Sequence, residues 1–436
     1  MAKYLKTDKQ TCADLSITEG VYEETPLFSL FLKTETKKGK SAMLEWITNP
    51  LSDINIIRNR QEAIAWEYLP ELPLCEEELD FIEYYLEYRE QIKMTNGFLS
   101  FIAIIDRWFQ PDSHRYLIRR GTTLITEMLH GLKKFSREIP HNAPVLLKEF
   151  SSQIEDAINS NEFKELLEHT STPPIKLSNA TIDKYDYIFR NNRLDTIKNL
   201  LAIIYQLDVC RTAYQVAKDK QFCNNPRMVE TMELSIHGFV HPFVKNGQKN
   251  KWKMSTGNIS IFTGSNMAGK STTLKALTIC IWLAHCGLPV PAESMVCPVY
   301  NGIYTSINLP DSLRDGRSHF MAEILRIKEI LQNAKSGNQC LIVLDEMFRG
   351  TNAQDAFEAS IAVNNLLKEY NHCHFLISTH ILEYAKSFEE DKVCNFYYMD
   401  SKIKDNQFFC SHQLMEGISE VKVGYWLIQR ELKDLL

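Results

Sequence analysis

The spacing of apolar and polar positions divides the chain into two parts. Residues 1 to about 235 carry apolar side chains at helical spacing among many charged ones, with few residues that break helices. The clearest case is residues 74–94, where Leu79, Ile82 and Leu86 recur among carboxylates. The same pattern predicts further helices over residues 98–109, 122–135, Val145–Ile158 and 197–217.

The pattern changes after about residue 236, where short apolar runs alternate with helical segments. Strands that alternate with helices are typical of a largely parallel sheet covered on both faces. We therefore predict an all-α domain over residues 1–235 and an α/β domain over residues 236–436. The predicted strands are Ile259–Thr263, 302–307, 340–344, His374–Ser378 and 395–399.

The first predicted strand leads into a sequence that fits the phosphate-binding pattern G-x-x-x-x-G-K-[ST]. Its residues are Gly264, Ser265, Asn266, Met267, Ala268, Gly269, Lys270 and Ser271, followed by Thr272. The two glycines let the backbone turn so that N–H groups face anionic oxygens, and the helix N-terminus adds partial positive charge. Lys270 suits the β- and γ-phosphates of a nucleotide, and the Ser271 hydroxyl suits Mg²⁺. The alternative is a glycine-containing turn with a chance lysine, and the residues described next weigh against it.

Two further predicted strands end in polar residues that suit phosphate chemistry. Asp345 and Glu346 follow the strand at 340–344: Asp345 is suited to hold Mg²⁺ through its water shell, and Glu346 to activate a water as general base. His380 follows the strand at 374–378, at the rim where ligands bind in open α/β sheets, and could sense the γ-phosphate or help to place the water. Each pattern alone is common, and a histidine at a strand end is usually structural. Their occurrence together with the phosphate loop makes the combination specific.

Composition narrows the class of protein. The 436 residues are 44% hydrophobic and 24% charged, which is typical of soluble globular proteins, and the net charge of −6 gives no support to DNA binding. Eleven scattered cysteines without a C-x-x-C pattern, no signal peptide and no long apolar run favour reduced thiols in a cytoplasmic protein without a membrane span. A basic run over residues 115–137 leaves two explanations open, a phosphate-contacting patch or, more commonly, a solvated helix face.

Four segments, in this order and spacing, resemble the MutS family of DNA mismatch-repair ATPases. They are the phosphate loop with its distinctive Asn266-Met267, the signature segment Gly316-Arg-Ser318-His-Phe-Met-Ala-Glu323, the Walker B segment Leu344-Asp-Glu-Met-Phe-Arg-Gly-Thr-Asn-Ala-Gln-Asp355, and the histidine switch Ser378-Thr-His380. The segments on either side of the acid pair have no role that residue chemistry alone assigns: subunit-interface elements and ordinary surface loops both fit. Looser similarity to the helical core of the family extends upstream to Thr11-Cys-Ala-Asp14 and includes His241-Pro242.

The resemblance implies an ABC-type P-loop ATPase that uses ATP and Mg²⁺ and forms a homodimer with composite sites. Residues 264–272, Asp345 and Glu346 would act within one subunit, and Ser318 would reach the γ-phosphate held by the other. Core-like sequence starts within the first fifteen residues and little chain lies between Glu168 and Ile197, so we expect a short form without the mismatch-reading, connector and clamp domains. DNA stays a candidate partner. The alternative function is a nucleotide-gated protein-interaction module with little turnover and no direct DNA binding.

Overall fold

The computed structural model describes residues 3–20, 24–88, 112–170, 175–265, 268–307, 319–335, 337–404 and 407–419. The described residues fall into two compact units, one made of Phe31–Met43 and Glu62–Tyr214 and the other of Met1–Leu30, Leu44–Gln61 and Gln215–Leu436. The predicted boundary near residue 235 stays a prediction, because a unit defined by contacts need not fold on its own. Among the described residues, no helix combines the length and the apolarity that crossing a bilayer requires.

Helices make up the regular structure of the described residues up to Lys220. They are α1 (Lys9–Asp14), α2 (Lys37–Thr48), α3 (Ile54–Ala65), α4 (Glu76–Glu87), α5 (Asp112–Glu138), α6 (Val145–Ile158), α7 (Asn161–His169), α8 (Asn179–Tyr187) and α9 (Leu194–Lys220), with a 3₁₀ turn at Leu27–Phe31 and a π turn at Ile188–Asn192. The helical predictions are confirmed here, and α6 has the predicted bounds. The helix predicted over 98–109 lies outside the described residues. In each helix the buried side chains recur at three- and four-residue spacing, as Leu147, Phe150 and Ile154 do in α6.

A six-stranded sheet carries the later part of the chain. Its strands are β4 (Ile259–Thr263), β6 (Gly302–Ser306), β7 (Cys340–Asp345), β8 (His374–Ser378), β9 (Cys394–Lys404) and β10 (Gln407–Glu416), in the order β10-β9-β4-β8-β7-β6. Neighbouring strands from β9 to β6 are parallel, and only β10 is antiparallel. All five predicted strands are present, so the largely parallel sheet is confirmed.

A second sheet of four short strands was not predicted. Its members are β1 (Arg227–Val229), β2 (Ser235–Phe239), β3 (Asn250–Lys253) and β5 (Ser294–Pro298), in the order β1-β5-β2-β3. The strand β1 lies inside the region predicted to be helical, and it pairs with β5, which lies about 70 residues further along the chain. Its pairing is therefore long-range, which sequence spacing does not reveal.

Helices cover both faces of the six-stranded sheet. One face packs on α11 (His319–Ala334), α12 (Ala353–Leu367) and α13 (Leu382–Lys386), which share a buried core with alternate residues of the strands, such as Ile259, Ile261 and Ile342. The helix α10 (Lys270–Cys286) contacts β7 and β8, is buried along almost its whole length and contributes nothing to that core, so it covers the opposite face. The carboxyl ends of β4, β7 and β8 therefore meet at one edge, beside the start of α10.

Candidate functional site

The phosphate-loop sequence connects β4 to α10, as its pattern predicted. Gly264 has a φ of +133° and Gly269 a φ of +98°, conformations that side chains with a Cβ rarely adopt. The N–H of Ala268 donates to the carbonyl oxygen of Ser265 at 3.1 Å, which closes the loop above the helix. Asn266 and Met267 lie outside the described residues. Ser265, Ala268 and Thr272 lie within this strand–loop–helix unit, at positions that the sequence assigned to phosphate contacts.

Lys270 opens α10, and its side chain is buried. Its ammonium donates to the carbonyl oxygens of Gly264 and Ser265 at 2.7 and 3.0 Å, and lies 3.1 Å from Glu346 Oε1. Burial lowers the pKa of Lys270, and the negative charges of Glu346 and Asp345 oppose that shift. The cation is therefore held at the centre of the loop, where an anionic ligand would compete with the two carbonyl oxygens for it.

The acid pair lies directly beneath the loop. Asp345 is the last residue of β7, and its Oδ2 accepts a hydrogen bond from Ser271 Oγ at 2.7 Å although the two residues are 74 positions apart. The other oxygen, Oδ1, accepts from the hydroxyl of Ser378, which pairs with Asp345 in the register of β7 and β8. The parallel strands β7 and β8 and the start of α10 thus bring together Ser271, Asp345 and Ser378, which lie far apart in the sequence.

Glu346 is surrounded by basic side chains. Its Oε2 lies 3.5 Å from His380 Nδ1 and 3.1 Å from Arg349 Nε, while its Oε1 faces Lys270. Burial alone would raise the pKa of Glu346, but the hydrogen bond with His380 and the charges of Lys270 and Arg349 outweigh it and lower the pKa to about 2. Glu346 is therefore ionised at neutral pH, the state in which a carboxylate can accept a proton.

Arg349 had no assigned role in the sequence analysis. Its Nη2 lies 3.1 Å from Asp345 Oδ2 while its Nε faces Glu346, so one half-exposed guanidinium spans both acids. Arg349 follows the two acids at i,i+4 and i,i+3, after left-handed residues at Glu346 and Phe348, and the spacing alone does not predict this double contact.

A cavity of about 510 Å³ lies beside the phosphate loop. The sequence did not predict this cavity. Gly269, Thr272 and Thr273 form one wall, and the other walls come from residues 239–250 and from His412 in β10. His412 Nδ1 lies 3.2 Å from the Ala268 carbonyl oxygen, so its N–H donates to the loop itself. The cavity is therefore continuous with the phosphate-loop backbone.

The similarity to known proteins falls on this site. Residues 260–429, which contain the loop, the acid pair and His380, match the family model described as MutS domain V. The DNA mismatch repair protein MutS of Aquifex pyrophilus is 32% identical over 236 residues, covering 53% of this chain and 27% of that protein. MutS of Clostridioides difficile is 32% identical over 220 residues (49% and 23%), and MSH3 of Cryptococcus neoformans is 27% identical over 277 residues (60% and 23%).

The chain is similar to MutS-family proteins, and the family-model match lies within its α/β part. It spans about a quarter of the length of these relatives, so what the whole relatives do is not carried over to it directly. Within this chain, the structure brings Lys270, Ser271, Asp345, Glu346 and His380 into one site. The signature residue Ser318 lies outside the described residues, and the individual roles of all these residues stay predictions.

Proposed function

We propose that the chain is an ABC-type P-loop ATPase that binds ATP with Mg²⁺ and hydrolyses the β–γ phosphoanhydride bond. The observation that carries the proposal is the convergence of Lys270, Ser271, Asp345 and Glu346 around one loop. A cation, a hydroxyl and two carboxylates at the head of a helix are the groups that phosphoryl transfer to water uses.

Each residue of the site has a proposed role that follows from its chemistry. Lys270 and the loop N–H groups bind the phosphates, and the adjoining cavity beside Thr272 and His412 holds the base and ribose. Ionised Glu346 accepts a proton from the attacking water, and His380, hydrogen-bonded to it, keeps that carboxylate oriented. Arg349 contacts both carboxylates, so a nucleotide with Mg²⁺ would compete with these two ion pairs.

The residues present also suit Mg²⁺, which prefers oxygen ligands. Ser271 Oγ and Asp345 Oδ2 lie 2.7 Å apart at the start of α10, on the side of the phosphate loop. Ser271 would hold the ion directly and Asp345 through water. When bound, the ion neutralises charge on the phosphate oxygens.

We further propose that the chain forms a homodimer in which Ser318 of the partner subunit completes each ATP site. We also propose that this dimer acts on DNA repair intermediates. The support is the signature sequence and the names of the relatives. The charge distribution gives weaker support to DNA contact than the signature sequence does. Within the basic run over residues 115–137, Arg120 pairs with Glu78 at 3.1 Å and Arg119 donates to Asn179, so both arginines already have partners in the protein. The cytoplasmic location stays a prediction.

The test is steady-state ATP hydrolysis by the wild-type chain, Lys270→Ala and Glu346→Gln. We expect Lys270→Ala to lose ATP binding, and Glu346→Gln to bind ATP but lose about 10²–10⁴-fold in turnover, the usual contribution of a general base. The surface variants Lys328→Ala and Glu358→Gln are matched controls and should keep the wild-type rate. Wild-type turnover in either site variant would overturn the proposal.

The same assay separates the alternative functions. Adding homoduplex, mismatched or branched DNA at several salt concentrations tests DNA contact, because phosphate contacts weaken steeply with salt. Binding of ATP with negligible turnover in the wild type, and no effect of any DNA, would favour the nucleotide-gated interaction module. Sedimentation with and without ATP tests the dimer.

A further inference from the structure

The backbone just after the acid pair is strained. Glu346 has a φ of +48° and Phe348 a φ of +66°, and both carry side chains that disfavour the left-handed region. Such conformations cost of order 1–3 kcal/mol each and persist only where surrounding structure holds them. The loop over residues 346–350, here called the acid-pair loop, therefore depends on whatever packs against it.

The first turn of α11 is what packs against it. The ring of Phe320 meets the ring of Phe348 edge to face, with 5.3 Å between centroids, and Phe348 is almost fully buried. The backbone of Gly350 comes so close to the same turn that an added Cβ would lie 2.8 Å from His319 Cβ. The acid-pair loop is therefore packed closely against the first turn of α11.

Glu323, one turn further along α11, supplies the polar part of this contact. It is only 7% exposed, and the backbone N–H groups of Phe348 and Arg349 face its carboxylate. Burial raises the pKa of Glu323, which these N–H groups and His319 oppose, and within the described part of the chain Oε2 has no hydrogen-bond partner. A buried carboxylate is costly for stability, so its position opposite the backbone of the acid-pair loop calls for a reason beyond packing.

We propose that Glu323 is a positioning residue for the proposed hydrolysis. It holds the N–H groups of Phe348 and Arg349, fixes the left-handed turn of the acid-pair loop, and thereby places the Glu346 carboxylate relative to Lys270. Glu323 is not among the charged residues that contact Glu346, which are Lys270, Arg349 and His380, so its role would be exerted through the loop. The inference deepens the proposed function and rests on it for its kinetic consequence.

The kinetic test compares Glu323→Ala with Glu323→Gln. Removal of the carboxylate frees the loop, and a displacement of about 1 Å at a reacting group can cost about 10²-fold in rate, so kcat of Glu323→Ala should fall by that order while KM and the Kd for ATP stay near wild type. Glu323→Gln keeps an oxygen that accepts from the loop and should recover a large part of kcat. Glu329→Ala, an exposed glutamate of the same helix, is the control and should match wild type.

A second measurement reports on the loop without turnover. Hydrogen exchange of the amides of residues 346–350 should be faster in Glu323→Ala than in wild type and intermediate in Glu323→Gln. If the wild type does not hydrolyse ATP, the proposed function fails, and faster exchange still identifies Glu323 as the group that holds the loop. Equal exchange in all three proteins overturns the inference. The inference is also overturned if the wild type hydrolyses ATP and Glu323→Ala has the same kcat. It is overturned as well if the lower kcat of Glu323→Ala is explained by a smaller fraction of protein that binds ATP.

Discussion

Ser378 joins the two acids of the site through one buried hydroxyl. Its Oγ donates to Asp345 Oδ1 and accepts from the N–H of Glu346 at 3.1 Å, while its carbonyl oxygen accepts from the same N–H. The side chain has no exposed surface. A single residue at the end of β8 thus fixes the orientation of Asp345 and the start of the acid-pair loop, which is a task the sequence pattern did not assign to it.

We predict that Ser378→Ala lowers the free energy of unfolding by about 1–3 kcal/mol. Loss of one partner leaves a buried acceptor on Asp345 unsatisfied, and that desolvation cost falls in this range. Urea unfolding followed by circular dichroism measures the change. The exposed Ser387→Ala should stay within about 0.5 kcal/mol of wild type. An equally small effect of Ser378→Ala would show that Asp345 finds another donor.

At the scale of an element, the start of α2 is held by a carboxylate from α9. Asp208 accepts from the backbone N–H groups of Glu35 and Thr36, both at 2.9 Å, and from the Thr36 hydroxyl. The Thr36 hydroxyl in turn accepts from the N–H of Gly39 at 2.9 Å and so caps the helix. The two helices meet so closely that Asp208 lies against the bare backbone of Gly39.

We predict that Gly39→Ala destabilises the chain by about 1–3 kcal/mol, the usual cost of overpacking. In an ordinary helix this change gains about 0.5–1 kcal/mol, but here the added Cβ would lie 2.0 Å from Asp208 Oδ2. The carboxylate cannot retreat without losing these hydrogen bonds. Thermal and urea unfolding measure whether Gly39→Ala lowers or raises the free energy of unfolding, with the exposed Lys40→Ala as control. A gain in stability would mean that α2 and α9 can shift apart freely.

At the scale of the whole molecule, local patterns predicted the large sheet but not the small one. The strands β4, β7 and β8 are apolar runs that are buried on both faces, so each is visible without its partners. By contrast β3 reads Asn250-Lys-Trp-Lys253 and β1 has three residues, and such segments resemble loops until a distant strand pairs with them. Short strands owe their existence to tertiary pairing.

The candidate site likewise contains residues that local motifs predicted and residues that only long-range contacts bring in. Lys270, Asp345 and Glu346 belong to local motifs, and parallel topology was enough to expect them at one edge. His412 reaches the loop only through a bulge in the antiparallel strand β10, and Asp14 accepts hydrogen bonds from Thr305 and Ile307, nearly 300 positions away. No spacing rule encodes contacts of that range, and for the same reason the inclusion of Met1–Leu30 in the α/β unit was not foreseen.

Two buried histidines make the α/β unit sensitive to acid. Tyr300 connects them: its N–H donates to His285 Nε2 at 3.3 Å, and its hydroxyl lies 2.6 Å from His374 Nδ1. Burial lowers the pKa of both histidines to about 4 from an ordinary value of 6.5. The unfolded chain therefore binds more protons than the folded one between these pH values. Their contribution to stability is complete above about pH 6.5 and is lost as the pH falls toward 4.

We predict that His374→Gln flattens the pH dependence of unfolding in this window. A shift of about 2.5 pKa units corresponds to about 3 kcal/mol at one site, so the stability difference between wild type and variant should shrink by up to that amount from pH 7.5 to pH 4. Glu323 and Asp208, whose pKa values burial raises, act in the opposite sense in both proteins and cancel in the comparison. Urea midpoints at several pH values measure the difference, with the exposed His141→Gln as control. Parallel curves for wild type and His374→Gln would contradict a lowered pKa of His374 in the folded protein.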